Sequence, residues 1–152
     1  MYRRTFDYHR NPDAPRAFLD FDGVDSCFFL WVNGTFVGYS QIAHATSEFE
    51  VTDRLVDGDN VIAVLVLKWC DGSYLEDQDK FRTSGIFRSV SLVTRPYCAV
   101  VDYMTTTDIE WGNDGRAKGA TIGIGLRYLD DQPVEVSGRL LDADGHTVAR
   151  AV

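Results

Sequence analysis

The sequence predicts an all-β fold, and three observations support this prediction. Short runs rich in β-branched and aromatic residues recur along the chain and are separated by Gly, Asn, Asp or Pro. The Asn33-Gly34 dipeptide, a preferred two-residue hairpin turn, lies between two of these runs. No long amphipathic helical pattern occurs in the sequence. The chain is therefore expected to fold as one or more β-sandwiches.

The strands follow from these runs in chain order. The predicted strands are 17–21, 27–32, 35–39, 47–51, 60–69, 86–94, 100–107, 117–129, 134–142 and 147–152. The run 61–67 is apolar at every position, which predicts a central strand buried on both faces. The segment 108–115 is predicted to be a polar hairpin loop, and 142–145 a tight turn before the final strand.

Two domains are predicted, with a boundary at residues 94–96. Pro96 cannot donate to a strand ladder and often ends a strand before a linker. The predicted domains are therefore 1–96 and 97–152.

Charge and composition narrow the classes of partner. The formal net charge of −8 repels phosphate backbones and anionic lipid surfaces, so neither nucleic acid nor a membrane is an expected partner. No apolar run approaches the roughly 20 residues that span a bilayer, and the first residues lack the apolar core of a signal peptide. Three widely spaced cysteines fit reduced structural thiols better than a disulfide framework or a zinc site. We therefore expect a cytoplasmic protein.

The segment 68–88 is the strongest candidate for a ligand-binding loop, because it joins two predicted strands and is crowded with carboxylates and rings. These residues are Asp71, Glu76, Asp77 and Asp79 beside Trp69, Tyr74 and Phe81. Carboxylates accept hydrogen bonds from hydroxyl groups while rings cover apolar sugar faces, so the mixture suits a polyhydroxylated ligand. A solvated acidic loop is the simpler alternative.

Most of these residues are better assigned to structure than to ligand binding. Asp71, Glu76 and Asp77 are predicted to cap turns or to pair with nearby arginines, for which Arg82 and Arg88 are the candidates. Trp69 ends a buried strand and is predicted to belong to the core.

Several motifs together resemble a known family. The run DGSYLEDQD, a ring residue after it, and R-x-SGIFR lie in this loop. Upstream stand FDGV with Ser26, then Trp31, Asn33-Gly34, VGY, Gln41 and SEF. In order and spacing they resemble the sugar-binding domain of the large bacterial β-galactosidases of glycoside hydrolase family 2. The resemblance covers residues 2–96 well and weakens beyond them.

The resemblance implies a fold for this chain and places the catalytic residues in another part of the parent protein. Residues 1–96 would form a jelly-roll, galactose-binding-like β-sandwich whose first strands precede this chain, and 97–152 part of an immunoglobulin-like β-sandwich. The parent would hydrolyse terminal β-D-galactosides such as lactose with retention, using glutamates of a later (β/α) barrel. This chain would then hold no catalytic residue and would be inactive alone. The parent would be a homo-oligomer.

The resemblance also implies a role for Asp79. The matching aspartate contacts galactosyl hydroxyl groups and helps to hold a sodium ion together with barrel ligands, whereas magnesium is bound by barrel residues only. Lys80-Phe81 stands where the family usually carries Met-Trp, which leaves the substrate preference open. A free-standing carbohydrate-binding or protein-interaction β-sandwich is the alternative function.

Overall fold

The computed structural model describes residues 1–76, 79–130 and 134–151. The chain divides into two units, Met1–Pro96 and Tyr97–Val152. Nearly all regular structure in the described residues is β-strand, so the predicted all-β fold is confirmed. Among these residues, no helix has the length and apolar character needed to cross a membrane.

The described residues of the first unit form short strands, a 3₁₀ turn and a short α-helix. Its strands are β1 (Tyr2–Tyr8), β2 (Arg16–Phe21), β3 (Val24–Asp25), β4 (Cys27–Val32), β5 (Thr35–Ser40), β6 (Ser47–Glu50), β7 (Gly58–Leu67), β8 (Gly85–Ile86) and β9 (Val90–Arg95). A 3₁₀ turn spans Thr52–Arg54, and the helix α1 spans Gly72–Leu75.

Two antiparallel sheets form a sandwich in this unit. One has the strand order β1-β7-β4-β5 and the other β6-β2-β9, while β3 pairs separately with β8. Apolar side chains from both sheets meet in a single buried cluster, which includes Leu19 and Phe21 of β2, Phe28 and Leu30 of β4, and Val64 of β7. Burial of these side chains is the main force that holds the sheets together.

Two local predictions are confirmed by this arrangement. Strand β7 lies between β1 and β4, so its predicted central position is confirmed. The predicted burial on both faces is not found, because Ile62 and Val64 are buried on one face while the side chains of the other face are only half-buried. Asn33 and Gly34 have φ of 49° and 79° and connect β4 to β5, with Val32 opposite Thr35. Positive φ at both positions is what a type I′ hairpin turn requires.

The sandwich is open at one edge. A cleft of about 460 Å³ lies between β1 and β7 of one sheet and β2 and β9 of the other. Its lining includes Leu19, Ile62, Val64, Ile86 and Leu92. At this edge, where β1 and β9 end the two sheets, Ile86 and Leu92 are only half-buried, whereas Leu19 and Val64 remain buried.

The second unit contains two antiparallel hairpins in its described residues. Strands β10 (Val100–Trp111) and β11 (Ala117–Tyr128) form the first, and β12 (Gly138–Leu141) and β13 (Thr147–Ala151) form the second. The loop predicted at 108–115 is shorter than expected, because β10 continues to Trp111 and Gly112 N donates to Arg116 O at 2.7 Å. The predicted turn at 142–145 is confirmed, with Gly145 at φ 85°.

Candidate functional site

The loop that follows β7 is built on a single helical turn. We call residues 68–84, apart from 77 and 78, the acidic loop. The Asp71 carboxylate accepts a hydrogen bond from Gly72 N at 2.9 Å, and the Asp71 carbonyl accepts one from Leu75 N at 3.0 Å. Ser73 Oγ accepts another from Cys70 N at 3.2 Å. Capping of this kind satisfies amides that a short helix leaves unpaired, so the predicted structural role of Asp71 is confirmed.

Aromatic side chains of the acidic loop are presented to solvent. The Trp69 and Tyr74 rings stack with centroids 6.1 Å apart, and 57% and 78% of these residues are exposed. Phe81 is 92% exposed. The prediction that Trp69 belongs to the core is wrong, because β7 ends at Leu67 and the chain leaves the sheet before the indole.

The acidic residues of the predicted site differ in where they lie. Asp79 is exposed on the acidic loop, close in sequence to the exposed Phe81. Glu76 ends α1, and its backbone amide donates to Gly72 O at 3.0 Å. Asp77 lies outside the described residues. An exposed carboxylate on a loop that also exposes aromatic rings can accept hydrogen bonds from a polyhydroxylated ligand while a ring covers the apolar face of that ligand.

A buried ion pair anchors the acidic loop. Lys80 Nζ lies 3.2 Å from Asp25 Oδ1, and the two side chains are 12% and 5% exposed. Sequence reasoning missed this pair, because the two residues are 55 positions apart and Asp25 carries no local motif. The sequence shows only that both positions carry charged side chains, and charged side chains are usually exposed.

Among the side chains that the structure describes, the arginines predicted as partners of Asp71 and Glu76 donate to backbone oxygens, while the predicted partnership with Asp77 lies outside the described residues. Arg82 Nη2 donates to the Glu76 carbonyl at 3.4 Å. Arg88 Nη1 donates to the carbonyls of Asp22 at 3.4 Å and His44 at 3.5 Å. Among the described residues, the ion pair of this loop is therefore that of Lys80 with Asp25.

A shallow groove beside the acidic loop is lined by two thiol groups and a phenol group. Cys27, Tyr39 and Cys70 line it together with Phe29 and Trp69. Burial raises the pKa of the Cys27 thiol, while a hydrogen bond from Tyr39 opposes that shift. Burial also raises the pKa of Tyr39 to about 12, with the Cys27 thiol as the next contributor. Cys27 and Tyr39 therefore stay protonated at neutral pH, and the Tyr39 hydroxyl donates a hydrogen bond to Gln41 Oε1 at 2.9 Å.

A cluster of possible metal ligands lies in the turn between β12 and β13. Ligand atoms of Asp142, Asp144 and His146 lie within 4.8 Å of one another, and all three residues are exposed. Asp142 Oδ1 already accepts hydrogen bonds from Asp144 N at 3.0 Å and His146 N at 2.8 Å. The carboxylate thus closes the turn, as the sequence predicted for this segment.

Comparison with known proteins gives a consistent family assignment. Residues 1–96 match the family model described as the sugar binding domain of the glycosyl hydrolases family 2. A β-galactosidase of Actinobacillus pleuropneumoniae is 48% identical over 145 residues, which are 93% of this chain and 14% of that protein. A β-galactosidase of Erwinia tasmaniensis is 60% identical over 82 residues, 54% of this chain and 8% of that protein. The chain thus spans about a seventh or less of the length of these relatives.

Solved structures share the fold. The crystal structure of an FMN-binding β-glucuronidase from Facaelibacterium prausnitzii L2-6 superimposes with a TM-score of 0.77 at 25% identity. The match covers 99% of this chain and 24% of that chain. The β-strand architecture described above therefore recurs within a larger glycosidase.

Proposed function

This chain belongs to glycosyl hydrolase family 2, and we propose that it is a non-catalytic segment of a β-galactosidase. The longer protein would hydrolyse terminal non-reducing β-D-galactosides, lactose-like substrates among them, with retention. The observation that carries the proposal is the 48% identity to a β-galactosidase over 93% of the chain. Catalysis is assigned to a part of the longer protein outside this segment.

Within this proposal, residues 1–96 are a partial sugar-binding jelly roll and residues 97–152 a partial immunoglobulin-like sandwich. The division of the structure between Pro96 and Tyr97 supports these limits. Strands contributed by the longer protein would cover the open apolar cleft at the edge of the first unit. The longer protein is proposed to be a cytoplasmic homo-oligomer, and the three widely spaced cysteines of this segment suit a reducing compartment.

Asp79 is the proposed galactoside-binding residue of this segment. Its exposure on the acidic loop, two residues before the exposed Phe81, supports this role. An ionised carboxylate accepts charge-assisted hydrogen bonds from sugar hydroxyl groups, which are stronger than neutral ones. Asp79 would therefore form part of the wall of the active site.

Asp79 is also proposed to be one ligand of a sodium ion in the longer protein. Hard cations take several oxygen ligands, and an exposed carboxylate is a suitable one. A single carboxylate does not make a site, so the remaining ligands, and the whole magnesium site, are assigned to the longer protein. The ion would supply positive charge that orients the sugar hydroxyl groups.

The test of this proposal is Asp79→Asn in the full-length protein, with 4-nitrophenyl β-D-galactoside as substrate. Loss of a charge-assisted hydrogen bond should raise KM about 10- to 100-fold and weaken the dependence on sodium. Asp53→Asn, which changes an exposed carboxylate of the 3₁₀ turn, is the matched control and should leave KM unchanged.

Two results would contradict the proposal. One is an Asp79→Asn enzyme with the KM and sodium dependence of the unchanged protein. The other is a full-length protein that hydrolyses a β-glucuronide but not the β-galactoside. Retention is checked separately, by following by NMR which anomer of galactose is released first.

A further inference from the structure

We propose that the Asp25–Lys80 ion pair positions Asp79 for galactoside binding, so that Asp25 and Lys80 are positioning residues of this site. The inference rests on the proposed function and adds to it a pair of residues that do not themselves contact the sugar. It starts from an ion pair whose side chains are almost inaccessible to solvent although one partner belongs to an exposed loop.

Burial makes the pair costly to break. Lys80 Nζ and Asp25 Oδ1 are 3.2 Å apart, and water screens the two charges little at 12% and 5% side-chain exposure. If either partner is removed, the other is left as an uncompensated buried charge. The pair is therefore a firm contact, unlike a typical ion pair on a protein surface.

The segment around Asp25 holds the acidic loop at three points. Ser26 Oγ donates to the Lys68 carbonyl at 2.7 Å, which fixes the beginning of the loop. Asp25 pairs with Gly85 in the β3–β8 ladder, which fixes its end. The Asp25 side chain holds the middle of the loop through Lys80. The loop is thus attached at its start, middle and end to two consecutive residues.

Of these three attachments, the one at Lys80 acts most directly on Asp79. Consecutive Cα atoms are about 3.8 Å apart, so fixing Lys80 restricts the position of the preceding residue closely. The Asp79 side chain itself is exposed. A carboxylate held in place before binding loses less conformational freedom when the sugar arrives, and this lowers KM.

A purely structural role for the pair predicts a different result from a positioning role. A structural pair affects folding stability and has no particular link to Asp79. A positioning pair acts through Asp79, so its removal should have no further effect once the Asp79 carboxylate is gone. Double-mutant cycles measure this coupling.

The experiment measures 4-nitrophenyl β-D-galactoside kinetics of the full-length protein with Lys80→Met, Asp79→Asn and both substitutions. We expect Lys80→Met to raise KM about tenfold with kcat changed less, because the loop is no longer held in its binding position. In the Asp79→Asn background, Lys80→Met should change KM less than about twofold. Lys118→Met, which alters an exposed lysine of β11, is the matched control and should behave like the unchanged protein.

Two further variants separate positioning from stability. Lys80→Arg keeps the charge and should retain most of the original KM. The double variant Asp25→Asn/Lys80→Met leaves no buried charge unpaired, so it should recover the melting temperature lost in Lys80→Met. It should nevertheless keep the raised KM, because the charged contact that fixes the loop is still missing.

The outcomes distinguish this inference from the proposed function. A folded Lys80→Met protein with unchanged KM, or an equal effect of Lys80→Met with and without the Asp79 carboxylate, overturns the inference alone. An Asp79→Asn protein with unchanged KM overturns the proposed role of Asp79, and with it the positioning role of the pair. Recovery of both KM and melting temperature in the double variant also contradicts positioning.

Discussion

Asn33 Nδ2 donates a hydrogen bond to Asn60 Oδ1 at 2.8 Å and thereby joins the β4–β5 turn to the beginning of β7. Asn60 is fully buried, at 0% exposure. Its Oδ1 also accepts from Val56 N at 2.9 Å, and its Nδ2 donates to the carbonyls of Val56 at 2.7 Å and Gly58 at 2.8 Å. Every polar atom of this buried amide thus has a partner, as burial requires.

Asn60→Ala is therefore expected to destabilise the first unit by about 2–4 kcal/mol, because it leaves the amide and carbonyls of the turn unsatisfied in a buried place. Urea denaturation of the 152-residue chain, followed by circular dichroism, measures this change. Asn11→Ala is the control in the same unit, since Asn11 is exposed and its side chain accepts from Asp13 N at 3.0 Å. An equal loss of stability in both variants would contradict the prediction.

The contact between Gly38 and Phe49 gives a second prediction. A Cβ at Gly38 would lie 2.5 Å from Phe49 Cε1, and this ring packs edge-on against Phe28 at 5.8 Å and Phe21 at 6.3 Å. Gly38→Ala should therefore displace Phe49 and reduce the free energy of unfolding by about 1–3 kcal/mol. The same urea denaturation measures the effect.

Gly119→Ala is the matched control for Gly38→Ala. Gly119 also lies in a strand, but its nearest neighbour to a new Cβ is Glu110 Oε2 at 3.8 Å, an ordinary contact. Substitution there should be neutral or stabilise by up to about 1 kcal/mol, because alanine restricts the unfolded chain. The prediction is wrong if Gly38→Ala is as stable as Gly119→Ala.

Local patterns in the sequence were sufficient to predict most strands of the sandwich. The predicted strand 27–32 coincides with β4, and Asn33-Gly34 forms the expected hairpin turn. Strand β1 was missed, because Arg3, Arg4 and Asp7 interrupt the apolar alternation that marks a half-buried strand. It forms through its ladder to β7, a pairing between distant residues that no local pattern encodes.

The candidate site shows the same division between local and distant signals. The sequence marked the acidic loop and the cap at Asp71, both of which depend on neighbouring residues. It did not indicate the ion pair between Asp25 and Lys80, which depends on how β3 and the loop pack together. Trp69 was misassigned because the sequence does not show that β7 ends at Leu67.

The raised pKa of Tyr39, about 12, gives a third prediction. Partial burial disfavours the phenolate, and the Cys27 thiol beside it adds to the shift. The Tyr39 hydroxyl should therefore ionise at a higher pH than an unperturbed tyrosine, whose pKa is about 10. Tyrosinate absorbance in the near ultraviolet, recorded with circular dichroism to follow folding, measures the titration.

Tyr39→Phe should remove the last step of that titration while the protein remains folded. Tyr74→Phe is the control, because Tyr74 is 78% exposed and its loss should leave the last step in place. If the absorbance titrations of the unchanged protein and Tyr39→Phe coincide at high pH, the pKa of Tyr39 is not raised.

The Arg16–Glu50 pair gives a prediction on pH dependence. Arg16 donates to Glu50 from Nε at 2.9 Å and from Nη2 at 2.6 Å, which lowers the pKa of the Glu50 carboxyl below its ordinary value of 4.5. A group whose pKa is lower in the folded state stabilises the protein above its unfolded pKa, and this contribution is lost as pH falls through the folded value. Near pH 7, Glu50→Gln should therefore reduce the free energy of unfolding.

The expected loss is small, about 0.5 kcal/mol, because the Glu50 side chain is 41% exposed and solvent screens the pair. Urea denaturation near pH 7 and again near pH 3 measures it, and the difference between Glu50→Gln and the unchanged protein should shrink at the lower pH. Glu110→Gln, at an exposed position of β10, should show little difference at either pH. A Glu50→Gln effect that stays constant or grows on acidification would mean that Arg16 does not favour the ionised form of Glu50.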